Sequence, residues 1–360
     1  RVLRVGYVSG DFRRHPVACF IEPILLQHDR TKFEVFCYYN APFADTVTRR
    51  LQRAASHWRS IARMDDLEAA RLIRADRCDI LIDLGGHTHG NRLGVFALRP
   101  AAVQATYLGY PGTTGLTSIQ YRITDATCDP DGVTDRYHTE KLVRLDGCFV
   151  CYRPNSRSPR PEGLPADVTG HFTFGSFNHH PKLSPETTAL WAQILRQTPG
   201  ARLLLKSRSL SDAGVAAATR RLFGMHGVAS ERLELRGYAV SERQHLATYN
   251  EVDLALDPFP YNGTTTTCEA LWMGTPVISL EGSAHVSRVG MSLLKAAGLA
   301  ELIAANEAAY LQMAVTLAND RDGIRRIRTG LRGKMARSAL CDAAGFTRRF
   351  EAALWQMWEA

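Results

Sequence analysis

The stretch Leu254 to Pro276 reads LALDPFPYNGTTTTCEALWMGTP. Its opening apolar run reads as a strand, which Pro258, Pro260, Asn262 and Gly263 end and turn. Thr264, Thr265, Thr266 and Thr267 then open a helix containing Glu269 and Trp272. Gly274 and Pro276 close that helix and lead into the next apolar run. Strand, loop, helix and strand in this order form the unit from which parallel sheets are built.

The same alternation extends in both directions. Upstream, strands are expected at Leu3–Val8, Phe33–Tyr39, Asp79–Leu84, Ala102–Leu108 and Tyr121–Thr124, most of them nearly continuously apolar, as in strands buried on both faces. Asp66–Asp76 reads as an amphipathic helix, and Pro16 begins another, proline being tolerated at the first helical position. A second series is expected at Thr173–Phe177, Arg202–Lys206, Leu233–Arg236, Val252–Leu256 and Pro276–Leu280. Between the two series, Arg153 to Pro165 is rich in proline and polar residues and reads as a linker. The last helix, Ala344–Trp358, carries Phe346, Phe350, Leu354 and Trp358 every four residues, a face that must pack on something. The expected fold is α/β, with two Rossmann-like doubly wound lobes at about 1–155 and 160–340, facing a cleft. Residues 341–360 are expected to pack back on the first lobe. Ligands of such sheets bind beyond the carboxyl ends of the strands, so function is sought in the loops that follow them.

A chain of 360 residues, 45% of them apolar, can bury a large core and favours two domains. Its net charge of +8 suits an anionic partner. The basic residues are spread along the chain, however, and the run Arg325 to Arg332 is interrupted by apolar positions, so a nucleic-acid partner is not expected. Neither an apolar run of ~18 residues nor an export signal is visible, so no membrane partner is expected and the cytoplasm is the expected location. Eight cysteines without regular spacing do not describe a disulfide scaffold. The pair Cys148 and Cys151 lacks a second ligand pair for zinc. A start at Arg1, without Met and immediately in a strand, suggests a fragment whose upstream region has been removed.

Four hydroxyls and the free N–H groups of a first helical turn make an anion site after Asn262-Gly263, suited to a diphosphate. The alternative is a single threonine cap among otherwise merely polar neighbours. Glu269, one turn on, is placed to accept from ribose hydroxyls or to complement the helix dipole. In the first loop, Ser9 to Pro16, His15 is either a cap or an active-site group where an acceptor meets a donor. The glycine-rich loops Asp83–Gly90, with His87 and His89, and Leu108–Gly115, with Gly109, Pro111 and Gly112, permit close approach to a ligand or form tight turns. Two alternate histidines without a third ligand do not suggest a metal, and no cofactor is expected. Past the strand in Phe174–Lys182, Asn178 and His179 precede Lys182, an ammonium suited to a departing nucleoside diphosphate or a solvated surface group. His245 stacks a flat base or lies exposed on its helix.

In this order, GYVSGDFRRHP, FALRPAAVQATYLGYPGTTG, FGSFNHHPKLSP, NGTTTTCEALWMGTP and WQMWE resemble the catalytic region of protein O-GlcNAc transferases, from about Leu3 to Glu359. The resemblance implies a GT-B fold and an inverting, metal-independent transfer of a sugar from a UDP-sugar donor to Ser or Thr hydroxyls of a polypeptide acceptor. By position, His15 matches the family's active-site histidine and Lys182 its phosphate-binding lysine. His245 matches the histidine packed on uracil, and Thr265 and Thr266 the pair at the diphosphate. Thr264 and Glu269 depart from the animal enzyme, which has His and Asp there. Tyr261 replaces a small Cys near the N-acetyl group, so donors other than UDP-GlcNAc stay open, GDP-fucose and UDP-glucose among them, as does a nucleotide-sugar-binding scaffold without turnover. Upstream, the resemblance implies tetratricopeptide repeats.

Overall fold

The computed structural model describes residues 1–237 and 239–360. The chain divides into two compact units, Arg1–Arg153 together with Ala339–Ala360, and Pro154–Ser338.

The first unit is built on seven parallel strands: β1 (Leu3–Ser9), β2 (Phe33–Tyr39), β3 (His57–Ser60), β4 (Ile80–Asp83), β5 (Val103–Thr106), β6 (Tyr121–Asp125) and β7 (Lys141–Leu145). Their order is β3-β2-β1-β4-β5-β6-β7, with Val5 of β1 pairing Val35 on one side and Ile80 on the other. Leu3, Val5, Tyr7, Ile80, Leu81 and Ile82 are fully buried, which is why these strands read as nearly continuous apolar runs. The edge strands β3 and β7, by contrast, expose part of their length and mix polar with apolar residues. The expected run Ala102–Leu108 shortens to β5 because Leu108 takes a φ of 75°, a left-handed conformation that leaves the extended ladder.

The helix Ala343–Glu359 packs on the helix Pro16–Gln27 and buries Phe346, Phe350, Leu354 and Met357. Burying each large apolar side chain stabilises by roughly 1.5–3 kcal/mol. The contact is also polar. His28 Nδ1 lies 2.9 Å from Glu351 Oε1, which accepts as well from the Asp29 N–H at 2.8 Å.

The second unit repeats the plan with β8 (Thr173–Ser176), β9 (Arg202–Lys206), β10 (Leu233–Arg236), β11 (Leu254–Leu256), β12 (Val277–Leu280) and β13 (Ile303–Ala304), in the order β10-β9-β8-β11-β12-β13. In each sheet the strand order reverses once, between β1 and β4 and between β8 and β11. Loops that leave two such strands in opposite directions open a crevice at the carboxyl edge.

Candidate active site

At the reversal in the second unit, β8 runs into Asn178, His179 and Lys182, and β11 into Asp257 and the turn ending at Gly263. Asp257 is fully buried and builds that turn: its Oδ1 accepts from the Gly263 N–H at 2.6 Å and its Oδ2 from the Ser279 hydroxyl at 2.7 Å. Asn262 is buried too, its amide donating to the Pro258 carbonyl at 3.0 Å and accepting from the Gly290 N–H at 3.2 Å. Its side chain is therefore spent on the fold. Its carbonyl faces the site, accepting from Lys182 Nζ at 2.7 Å. Gly263 is required by space, since a Cβ would stand 2.4 Å from Thr266 Oγ1 and 2.9 Å from Asn178 Oδ1.

The helix itself is Thr265–Trp272, with Thr264 in the cap position making no side-chain bond to the first turn. The first-turn N–H groups, with the positive end of the helix dipole, are thus left without a capping side chain. Thr266 Oγ1 donates to Asn178 Oδ1 at 3.0 Å, tying the start of this helix to the end of β8. Lys182 Nζ also lies 4.0 Å from the centroid of the Tyr261 ring, and Tyr261 is 42% exposed. Burial lowers the Lys182 ammonium, offset in part by Asp257, and raises the Asp257 carboxyl. His179 is exposed.

One turn along the same helix, Glu269 Oε2 lies 3.0 Å from His245 Nε2. The imidazole stands edge-on to Tyr249, at 79°, and Tyr249 in turn packs 4.3 Å from Phe177, forming an aromatic wall. Lys206, the last residue of β9, meets Nδ1 of His245. Asp257 and Lys206 were not singled out in the sequence. The available signal was a polar residue closing each apolar run, in LALD and RLLLK.

The remaining candidates lie in the first unit. His15 caps the helix Pro16–Gln27, its Nδ1 accepting from the Val17 N–H at 3.3 Å, with Asp11 Oδ2 at 3.6 Å. Burial lowers its pKa from 6.5, Asp11 opposes that and Arg13 adds to it. Because Nδ1 accepts, the neutral ring carries its proton on Nε2. After β4, Asp83 accepts from the N–H groups of Gly85 and Gly86 and from the Thr106 hydroxyl, burial raising its carboxyl. His87 Nε2 lies 3.0 Å from the Thr114 carbonyl, and its ring meets Tyr110 edge-on. Gly109 is held to close approach, since a Cβ would fall 2.0 Å from the Leu84 carbonyl oxygen. Buried Arg122 donates to the carbonyls of Tyr110 and Gly112 on either side of Pro111, shaping that loop. Among the described residues, no group of three His, Cys, Asp or Glu side chains is arranged to hold a metal ion, and no helix is long and apolar enough to cross a membrane.

Comparison with known proteins places these loops in a family. The probable UDP-N-acetylglucosamine–peptide N-acetylglucosaminyltransferase SPINDLY of Solanum lycopersicum is 41% identical over 362 residues, 99% of this chain and 39% of that protein. The similarly named SEC of Arabidopsis thaliana is 33% identical over 99% of this chain and 37% of its own length. The chain thus spans about two-fifths of the length of these relatives. Among solved structures, a mutant of Thermobaculum terrenum O-GlcNAc transferase superposes with a TM-score of 0.91 at 41% identity, covering 99% of this chain and 68% of that one. Anabaena HepE in complex with UDP and glucose shares the GT-B fold alone, with a TM-score of 0.61 at 12% identity over 98% of this chain and 100% of that one. Residues 1–152 and 158–350 match the family model described as glycosyl transferase family 41, and the chain belongs to that family.

Proposed function

We propose that the chain transfers N-acetylglucosamine from UDP-GlcNAc to Ser or Thr hydroxyls of proteins, with inversion and without a metal ion. The observation that carries this reading is the second unit's strand-order reversal, where Lys182 and the uncapped start of Thr265–Trp272 converge on Asn262 and Gly263. A cation beside free N–H groups suits a diphosphate and stabilises it most as it departs. The plant relatives are named for the same donor and a peptide acceptor.

In the reaction, the acceptor hydroxyl oxygen bonds to the anomeric carbon as the bond to the phosphate oxygen breaks, and the electron pair leaves with UDP. The hydroxyl proton passes to a phosphate oxygen of the donor, and His15, which matches the family's active-site histidine, is assigned to the acceptor side. His245 packs on the uracil and Glu269 accepts from the ribose.

Calorimetric titration with UDP, GDP, UDP-GlcNAc and UDP-glucose, followed by a peptide transfer assay with and without EDTA, tests the reading. UDP and UDP-GlcNAc are expected to bind, and transfer to survive EDTA. Binding of GDP in preference to UDP would reassign the donor to the GDP-sugar class, binding without turnover would make the chain a scaffold, and activity lost to EDTA and restored by manganese would overturn the metal-free mechanism.

A further inference from the structure

Lys206 has no part in the reaction just described, yet it is buried to 7% exposure at the carboxyl end of β9. Burial pushes its ammonium down to about 8, with Glu269 working against that shift and Arg236 with it. Its Nζ meets His245 Nδ1 and lies 5.4 Å from the centroid of Phe177. On the other side of the imidazole, Nε2 is 3.0 Å from Glu269 Oε2. The helix carrying Glu269 is linked to the same wall through the Tyr249 hydroxyl, which donates to the Thr266 carbonyl at 3.1 Å.

An ammonium has donors and no acceptor. Where it meets a ring nitrogen of neutral histidine, that nitrogen must offer its lone pair, and the ring proton is forced to the other side. Here the other side faces a carboxylate, which accepts it. The three groups therefore form a chain with one direction, from Lys206 through His245 to Glu269.

We propose that Lys206 is a positioning residue for the donor nucleoside, holding His245 as the Nε2–H tautomer so that one Glu269 oxygen is occupied and the other is left for a ribose hydroxyl. The inference rests on the nucleotide-binding reading above. Without the lysine, the imidazole can turn over or exchange tautomers, and both the flat face offered to the base and the Glu269 carboxylate, which the Tyr249 hydroxyl also approaches, lose their fixed place.

Nitrogen-15 imidazole spectra, with the His245 signals assigned by difference against His245→Gln, read the tautomer without any ligand. UDP titration and donor kinetics read the nucleoside. In Lys206→Met the Nε2–H signature of His245 is expected to be lost, UDP to bind about tenfold more weakly and the donor KM to rise to match, with kcat within about twofold, the scale of one charge-assisted hydrogen bond acting on ground state and transition state alike. Lys206→Arg keeps a donor and is expected to keep the tautomer and UDP affinity within about threefold. An unchanged His245 spectrum in Lys206→Met, or a changed one with unchanged UDP affinity, overturns the proposal. Should Lys206→Met not fold, loss of the tautomer in folded Lys206→Arg overturns it equally. Failure of the unaltered chain to bind UDP would instead sink the donor reading, and the nucleoside role with it, while the tautomer result still stands or falls separately.

Discussion

The two strand-order reversals are built on one frame and are finished with different side chains. Asp83 at the end of β4 and Asp257 just past β11 are both fully buried, both accept the N–H of a following glycine, and both accept a hydroxyl from the next strand, Thr106 in one case and Ser279 in the other. Around these matched carboxylates the surroundings diverge. In the second unit a lysine and an uncapped helix start leave net positive character. In the first unit the helix after β4, Leu93–Ala97, also starts without a side-chain cap but has only five residues, and the helices after β1 and β8 are both capped, by His15 and Ser184. Topology chose both places; the lysine set against the start of an eight-residue helix makes the second one suit an anion.

The comparison breaks most sharply at Lys182. Lys182→Ala is expected to lower kcat at saturating donor by about a thousandfold while weakening UDP binding much less, because the charge matters most as the diphosphate leaves. Near-normal turnover would remove the distinction between the two units. His15→Asn tests the other side, since asparagine still caps a helix but has no imidazole. A loss of about a hundredfold in kcat/KM with an unchanged thermal midpoint is expected. An equal loss of stability would make His15 a cap alone.

The pH dependence of kcat/KM sharpens the same point. Burial holds His15 below 6.5, so the neutral, capping ring persists below that value, and protonation at Nδ1 ends the cap only as pH falls further. The limb assigned to His15, identified by its loss in His15→Asn, is expected below pH 6.5, and a limb at or above that pH contradicts the burial argument. Thr265→Val with Thr266→Val removes two hydroxyls but spares the backbone N–H groups, so UDP should bind about tenfold more weakly, with the thermal midpoint lowered only by the lost bond from Thr266 to Asn178. Unchanged affinity in the folded protein removes the hydroxyls from the anion site. The smallest effect is expected at Tyr261, whose ring is engaged by Lys182. Tyr261→Cys should change the ratio of kcat/KM for UDP-GlcNAc over UDP-glucose by less than about fivefold, the scale of one exposed cation–π contact. A larger rise for UDP-GlcNAc would mean that the ring crowds the acetamide.

Central strands were legible in the sequence because burial on both faces leaves a nearly unbroken apolar run, and β2 and β9 have the expected limits, as does one edge strand, the partly buried β10. β3, β7 and β13 were not, and all three are edges. An edge strand keeps one side of its ladder unpaired and part of its surface in water, so HWRS and KLVRL carry no such run, and β13 is two residues long. Within the site, Lys182 and the threonines stand just past strand ends, in a turn and at a helix start, where composition is informative. Asp257 reads as turn punctuation before Pro258, and the bond from Lys206 to His245 joins residues 39 apart. Only the folded chain shows that Asn262 spends its side chain inward and reaches the site with its carbonyl.

The packing of Ala343–Glu359 on Pro16–Gln27 also sets an order of events during synthesis. Residues 154–338 form one unit from a continuous stretch, whereas the first unit is split around it. A nascent chain has made all seven strands of the first sheet long before it makes Phe346, Phe350 and Leu354, which cover part of that unit's core. At ribosomal speeds the second unit takes roughly 10–40 s to emerge. Throughout that interval the older half of the molecule waits with an apolar surface uncovered, and at its end the younger half holds every residue of its own compact unit while the older still lacks its last helix.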